Sequence, residues 1–453
     1  MYKFNNEQLL LKSINISYEI KRGNKLLNNK DVTIFNSSVL QLNNSNNYII
    51  ASRGWYGNIR SWDGINFIIL TKLDNNFKKI DQNILDIDID LLKNRELEFK
   101  DFKKKIIVHQ KSVLEGPEDP RLFYHNNDVH ILVNEIDDIT KSPRMRLMYL
   151  SAIDTDKLVY KFPKTLLCKS LSSPFEKNWG PFTYNKKLYM LYDINPLKIM
   201  EVNSDYTCKL VVNKEDKIIK KIEKSFNNLQ FHLRNSSNLI KLSNSNEYLG
   251  LGHAVLDYKN FTDINKYLIP AFDISKYSEK DKEYFSKFFK LYLGFFFTLD
   301  MNKKEITKLS PFFQLPSIES KQELIFFPTS MYIDTNKFVN ISYSLGDNRS
   351  YLCKLHLEVV KLSLYEKENI NVHMNYNINT NYYLELLRTL RKVYGYNLSN
   401  YNILYDYKRK TKGKTKGKSK GKSKSKSKRK SSTKSSTKSS TKSSTKSSTK
   451  SDE

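Results

Sequence analysis

One pattern recurs five times between residues 35 and 360: a polar phrase, a run of alternating apolar residues, a turn of Asn, Asp or Lys character, and a second such run. It reads SSVLQLNNSNNYIIASRG at 37–54, EDPRLFYHNNDVHILVNEI at 118–136, GPFTYNKKLYMLYDI at 180–194, SSNLIKLSNSNEYLGLGHAV at 236–255 and PTSMYIDTNKFVNISYSL at 328–345. Alternation with a period of two around such turns predicts a β-hairpin in each case. A lone hairpin cannot bury its apolar face, so repeats spaced by about 55–95 residues imply stacked β units with insertions. Closing the units into a ring removes exposed sheet edges. The expected fold is therefore all-β, a five-bladed β-propeller over 37–360, with a β-sandwich as the alternative.

The flanks read differently. Residues 1–36 form an N-terminal extension. In 361–407 the stretch TNYYLELLRTLRKVYG places Tyr383, Leu387, Leu390 and Tyr394 on one face of a helix near 380–394, with Thr380 as N-cap and Gly395 as stop. From 408 to 453 the chain alternates Lys with small residues and then repeats SSTK five times. Nothing apolar there offsets ordering entropy, so a disordered tail is expected. That tail holds 19 Lys or Arg against two acids, which leaves +11 of the +28 net charge on the body. A polycationic tail attracts nucleic acid, anionic lipid or another acidic polymer non-specifically; without interleaved aromatics it has no means of base stacking. It can equally be a solubilising appendage.

Cys168, Cys208 and Cys353 have no metal-like spacing, and an odd count argues against a disulfide framework. The N-terminus lacks a basic region followed by an apolar one, and the most apolar run, 291–299, falls far short of the ~20 helical residues that span a bilayer. A soluble, cytoplasmic protein without a signal peptide is the expectation. There is no GxGxxG, P-loop, HExxH or paired-cysteine site, and His109, His125 and His130 make no ligand set with a neighbouring acid. No metal or organic cofactor is expected.

In a propeller, first-strand entrances converge on the central channel. The polar phrases there are Glu118-Asp119-Pro120-Arg121, Lys177-Asn178-Trp179, Asn195-Pro196, Arg234-Asn235, Gly252-His253 and Gly346-Asp347, joined by Arg53, Asn58 and Arg60 from the first repeat. Carboxylates, cations, amides and an indole suit a sugar, whose hydroxyls need paired donors and acceptors and whose faces stack on aromatic rings.

EGPEDPRLF, KNWGPF followed by YDINP, YLGLGHA and ISYSLGD resemble glycoside hydrolase family 130, the β-mannoside phosphorylases and hydrolases, together with the related mannosyltransferase/phosphorylases. The resemblance extends over roughly 39–355 and is carried by these phrases, of which EDPR is the most specific. It implies a five-bladed propeller that phosphorolyses, hydrolyses or transfers β-mannosides with inversion, and it puts the general acid on Asp119. An acid working near neutrality needs a raised pKa, which burial and Glu118 would supply and Arg121 would oppose. The resemblance also implies sugar-binding roles for Arg53, Glu118, Arg121, Trp179 and Asp347. It implies phosphate or substrate contacts for Lys177, Asn178, Asn195, Arg234 and His253, with inorganic phosphate a candidate co-substrate. Asn195 stands where the family has an Arg and offers no bidentate contact, so hydrolysis or transfer is as open as phosphorolysis.

Structural readings compete at each position. Asp119 and Arg121 can be a salt bridge bracing a Pro-stiffened turn, and His253 a satisfied strand histidine. Asp347 can be plain turn chemistry and Trp179 core; Trp55 and Trp62 sit in a loop-like phrase. At the level of the whole chain the alternatives are an inactive glycan- or protein-binding propeller tethered by its tail, and a tail-driven nucleic-acid or capsid-associated protein.

Overall fold

The computed structural model describes residues 14–43, 45–58, 63–85, 114–115, 117–136, 146–168, 177–224, 230–243, 245–257, 290–313, 315 and 325–367. The chain divides into units 1–400 and 401–453, and the second lies outside the described residues, as do the helix expected near 380–394 and the basic tail.

Five antiparallel sheets follow one another along the chain. The first blade runs Val32–Gln41, Tyr48–Asn58, Asp63–Leu73 and Lys79–Leu85, with Leu114–Glu115 added in parallel. The second runs Glu118–His125, Asp128–Ile136 and Arg146–Asp154, edged by Val159–Tyr160 and Lys164–Thr165. The third is Gly180–Tyr184, Lys187–Ile194, Leu197–Val202 and Cys208–Lys214. In the fourth, Gln230–Asn235 and Ile240–Lys241 share the partner Glu247–Asp257, followed by Lys290–Asp300, Glu305–Leu309 and Tyr365–Glu366. The fifth is Phe326–Ile333, Phe338–Leu345, Arg349–His356 and, as its outer strand, Ile14–Asn15. The innermost strand of the first blade meets those of the second and the fifth, and that of the second meets that of the third; the third blade's second strand meets the fourth's first, and the fourth's second and third strands meet the first strand of the fifth. The expected five-bladed propeller is present, and each sequence hairpin is the inner pair of one blade.

The hairpins turn where the sequence says they should. Asn126 and Asn127 (φ +50° and +67°) and Asn185 and Lys186 (φ +49° and +63°) hold positive φ at both central positions, the geometry of a type I′ turn. The core lies between blades. Phe182, Leu233, Phe295 and Phe297 help fill the contact of the third and fourth, while Ile50, Phe67, Ile69, Leu122 and Ile131 do so between the first and second. The GLG of the fourth blade is part of this packing: a Cβ on Gly250 would sit 2.1 Å from Phe297, and one on Gly252 2.6 Å from Phe295.

The domain boundaries shift at both ends. Residues 14–15 complete the last blade instead of preceding the propeller, the first strand starts at Val32, and Tyr365–Glu366 adds to the fourth blade. The first and last blades are then joined by buried hydroxyls. Asn36 N–H donates to Ser344 Oγ (2.6 Å), Ser37 N–H to Ser350 Oγ (3.0 Å) and Val39 N–H to Ser330 Oγ (2.8 Å), while Thr329 and Ser342 both donate to the Ser37 carbonyl. Ser17, on the helix Ile16–Lys21, donates to Ile34 O (2.6 Å) and accepts from Ser350 N–H (2.8 Å). Ser17→Ala removes the hydroxyl that bonds two buried backbone groups. The urea midpoint should fall by an amount worth about 1–3 kcal/mol, with the slope of the unfolding transition unchanged.

Candidate active site at the channel mouth

The innermost strands do not enter the ring as regular strands. Register breaks between Phe35 and Ser38 in the first blade, Glu118 and Arg121 in the second, and Pro328 and Ser330 in the fifth. The fourth blade's inner strand is interrupted between Asn235 and Ile240. A bulge re-aims side chains out of the sheet alternation, here toward the axis on which the blades converge. Asn36 (φ +49°), Asp119 (φ +49°) and Asn178 (φ +65°) all carry the positive φ that short polar residues tolerate best.

Around Asp119 the polar groups interlock. Arg53, 5% exposed on the second strand of the first blade, donates from Nη1 to Asp119 Oδ1 (3.1 Å), from Nη2 to Glu118 Oε1 (3.0 Å) and from Nε to Asn66 Oδ1 (2.7 Å). Its guanidinium carbon lies 4.9 Å from the centre of the Phe35 ring. Asn36 Nδ2 gives Asp119 Oδ1 a second donor at 2.7 Å, and Asn66 Nδ2 reaches Glu118 Oε1 at 3.3 Å.

Arg121 plays a different part from the one the sequence suggests. It is 1% exposed and reaches the neighbouring blades, donating to Ser236 O of the fourth blade (2.5 Å), Asn178 Oδ1 (3.1 Å) and the backbone carbonyl of Asp119 (2.7 Å). The expected Asp119–Arg121 salt bridge is replaced by Arg53–Asp119, because the strained turn directs the carboxylate toward the first blade. Arg121 binds three blades together instead of presenting donors to a sugar. Trp179 is also corrected: at 1% exposure it packs among Phe123, Met190 and Met200 in the core, 5.4 Å from the Tyr192 ring, and offers no open face for stacking.

The remaining predicted residues divide in two. Lys177 and Arg234 are exposed and make no ion pair among the described residues. They share the electrostatic neighbourhood of His253 with Arg121 and Asp119. His253 is 2% exposed, 2.5 Å by Nδ1 from Ser236 Oγ and 5.1 Å from the Phe327 ring; burial first, then Arg234, Arg121 and Lys177, hold its imidazole neutral. Asn195 is turned away. Its Nδ2 donates to Glu223 Oε2 (2.5 Å) on the helix Lys217–Lys224, whose other oxygen accepts from Leu233 N–H (3.0 Å). Arg60 and Trp62 lie outside the described residues, and Trp55 is buried beside Arg53.

The carboxyls separate by environment. Burial pushes Asp119 up, but Arg53, Arg121, the Asn36 amide and Lys177 together hold it below the usual carboxylate range, so the raised pKa expected for it is absent. Asp347, on the Gly346-Asp347 turn of the fifth blade (φ +61° and +48°), has no hydrogen bond or ion pair among the described residues. Burial raises it to about 7; Arg53 opposes this, and Asp119 and Glu118 add to it. One carboxyl held ionised and one that titrates near neutrality therefore share the field of the same buried guanidinium, the separation that acid–base pairs exploit.

The sequence matches no known family profile and no curated protein. Among solved structures, β-1,2-mannobiose phosphorylase from Listeria innocua is similar over 74% of this chain and 94% of its own, at 9% identity and a TM-score of 0.44. A mannose phosphorylase from Leishmania mexicana covers 72% and 85% at 11% identity and 0.42. A GDP-Man-dependent mannosyltransferase from the same organism covers 76% and 89% at 10% identity and 0.44. The propeller assignment itself rests on the sheet topology described above.

Sequence reading missed Asn36, Asn66, Ser236, Phe327 and Tyr292, whose ring lies 5.4 Å from that of His253. Two of them carried a signal: Asn36-Ser37-Ser38 and Asn235-Ser236-Ser237 are the same tripeptide at the same place in two blades. Among the described residues no group of three or more His, Cys, Asp or Glu stands ready to hold a metal ion, and no helix is long and apolar enough to cross a membrane.

Asp347 has a thermodynamic signature. Its folded-state pKa of about 7 lies above the value of 3.8 for the free side chain, so the native state binds more protons between those values. Stability is then lost as pH rises through that window. Asp347→Asn should raise the urea midpoint at pH 8 and leave it unchanged at pH 4; an equal shift at both would contradict the assignment.

Proposed function

We propose that the channel mouth binds a carbohydrate and transfers a glycosyl group, with Asp119 and Asp347 managing the proton. The observation that carries this reading is the carboxyl pair itself. Asp119 is held ionised by Arg53 and Asn36, while Asp347 keeps its oxygens free and its proton near neutrality. Asp347 donates that proton to the glycosidic oxygen as the bond to the anomeric carbon breaks and its electron pair passes to that oxygen. The carbon is taken by an acceptor oxygen; when the acceptor is water or a sugar hydroxyl, its proton passes to the Asp119 carboxylate. Arg53, itself held by Glu118, and Asn36 keep Asp119 in place, and Asn178 and the neutral His253 border the sugar. This moves the acid from Asp119, where the family resemblance puts it, to the neighbour whose surroundings favour a proton.

Lys177 and Arg234, exposed and without ion pairs among the described residues, supply charge for an anionic acceptor or donor group such as phosphate. With Asn195 engaged by Glu223, that group has two exposed cations and no fixed third contact. The resemblance of EDPRLF, KNWGPF and LGLGHA to the mannoside-active family favours a β-mannoside as the sugar.

The test is turnover of β-mannosides with and without phosphate, and of mannose 1-phosphate with sugar acceptors. Asp347→Asn and Asp119→Asn should each lower turnover about 10²–10⁴-fold, and Asp347→Asn should abolish the alkaline fall in rate near neutral pH. Binding of sugar without turnover in any arm would instead favour a glycan-recognition propeller. The cationic tail is proposed as a separate, salt-sensitive contact with an anionic polymer, without a part in this chemistry.

A further inference from the structure

A concavity lies at the end of the strands opposite the Asp119 cluster. Channel-mouth residues sit where first strands begin and second strands end, whereas this groove, of about 670 Å³, is bounded by hairpin turns of the second and third blades. That volume is in the range of small-molecule sites. Leu150, Leu188 and Val202 contribute apolar surface, and His125, His130 and Tyr206 line it with rings. The walls are held by backbone geometry: two type I′ turns at 126–127 and 185–186, and a turn closed by Asn203 N–H to Thr207 O (2.9 Å) with Tyr206 at φ +65°.

The groove's polar chemistry narrows the ligand. Four charges line it, Lys186 and Lys187 against Glu201 and Asp205, and they balance. Glu201 is already held by Lys187 (2.6 Å) and Tyr189 (2.9 Å), and Asp205 by the amide and hydroxyl of Thr207 (3.0 and 2.7 Å). Burial holds both imidazoles below their usual pKa, so they are uncharged at neutral pH. His130 Nδ1 lies 3.2 Å from the Asp128 carbonyl, which can only accept. The proton is therefore on Nδ1, and Nε2, with no hydrogen bond among the described residues, is an acceptor awaiting a donor. Phosphate and carboxylate anions bring few or no donors, whereas a hydroxyl brings one. Exposed Asn203 and Ser204 add an amide and a hydroxyl at the rim.

We propose that this groove is a second carbohydrate-binding site, taking a neutral, hydroxyl-rich ring such as a hexose or short oligosaccharide, independently of the channel mouth. The ring's apolar face lies on the leucines and Tyr206, and a hydroxyl donates to His130 Nε2. The proposal stands whether or not the channel mouth turns over sugar.

Isothermal titration of the full chain with mannobiose, and separately with mannose 1-phosphate, tests it. Ser204→Trp fills the groove from an exposed turn, and His130→Phe keeps the ring while removing the acceptor. Mannobiose should lose one binding event in Ser204→Trp and bind that event about tenfold more weakly in His130→Phe. Two events falling to one means that both sites bind sugar; one falling to none means that the groove binds it and the channel mouth does not. Unchanged titrations in both variants, absence of binding in the wild type, or preference of the groove for mannose 1-phosphate would overturn the proposal.

Discussion

The guanidinium of Arg53 is the constraint on which the site depends. A buried cation is costly unless it is paired, and Arg53 is paired on all sides: Asp119 and Glu118 from the second blade, Asn66 from its own, and the Phe35 ring beneath it. The pairing requires the second blade's inner strand to bulge between Glu118 and Arg121, so that consecutive acids point the same way instead of alternating. The positive φ of Asp119 is the strain that accompanies this, and it persists because Arg53, Asn36 and Arg121 over-determine the turn. Remove the cation, and two carboxylates and a third at Asp347 would repel one another.

The same economy explains the ring. Every blade has to be held to its neighbours without covalent links, since the three cysteines are free. The chain does so with side chains that bond backbone groups across blade boundaries. Buried serines join the first and last blades, Asn238 pairs with both backbone groups of Met331 between the fourth and fifth, and Arg121 ties the second to the third and fourth. These groups lie where inner strands bulge and leave backbone donors unsatisfied. Closing the ring and shaping the channel mouth are thus one structural act, and the polar phrases serve both.

Much of this was legible in the sequence because hairpins are local. Alternation, Asn-rich turns and five repeats predicted five blades, and the polar phrases contained Arg53, Glu118 and Asp119, which the structure brings together. Partners were not legible. EDPR suggested that Asp119 pairs with Arg121, two residues away; the bulge gives it Arg53, 66 positions distant in the chain. Trp179 sits in a polar phrase yet faces the core, because the strand after it starts with Gly180 and its pleat carries the indole inward. The first strand of the fifth blade's edge, Ile14–Asn15, has no pattern of its own, since two residues carry no period.

The sequence by itself determined the succession of hairpins and marked Arg53, Glu118 and Asp119 as part of one polar cluster, because period-two patterning and turn chemistry act over a few residues. Only the tertiary structure decided which carboxyl is ionised. The pKa of Asp119 or Asp347 depends on burial and on charges from other blades, and those distances exist only once the ring has closed. Asp119 gains Arg53 and Asn36, which hold its pKa down; Asp347 gains burial and two acidic neighbours, which bring its pKa up to about 7.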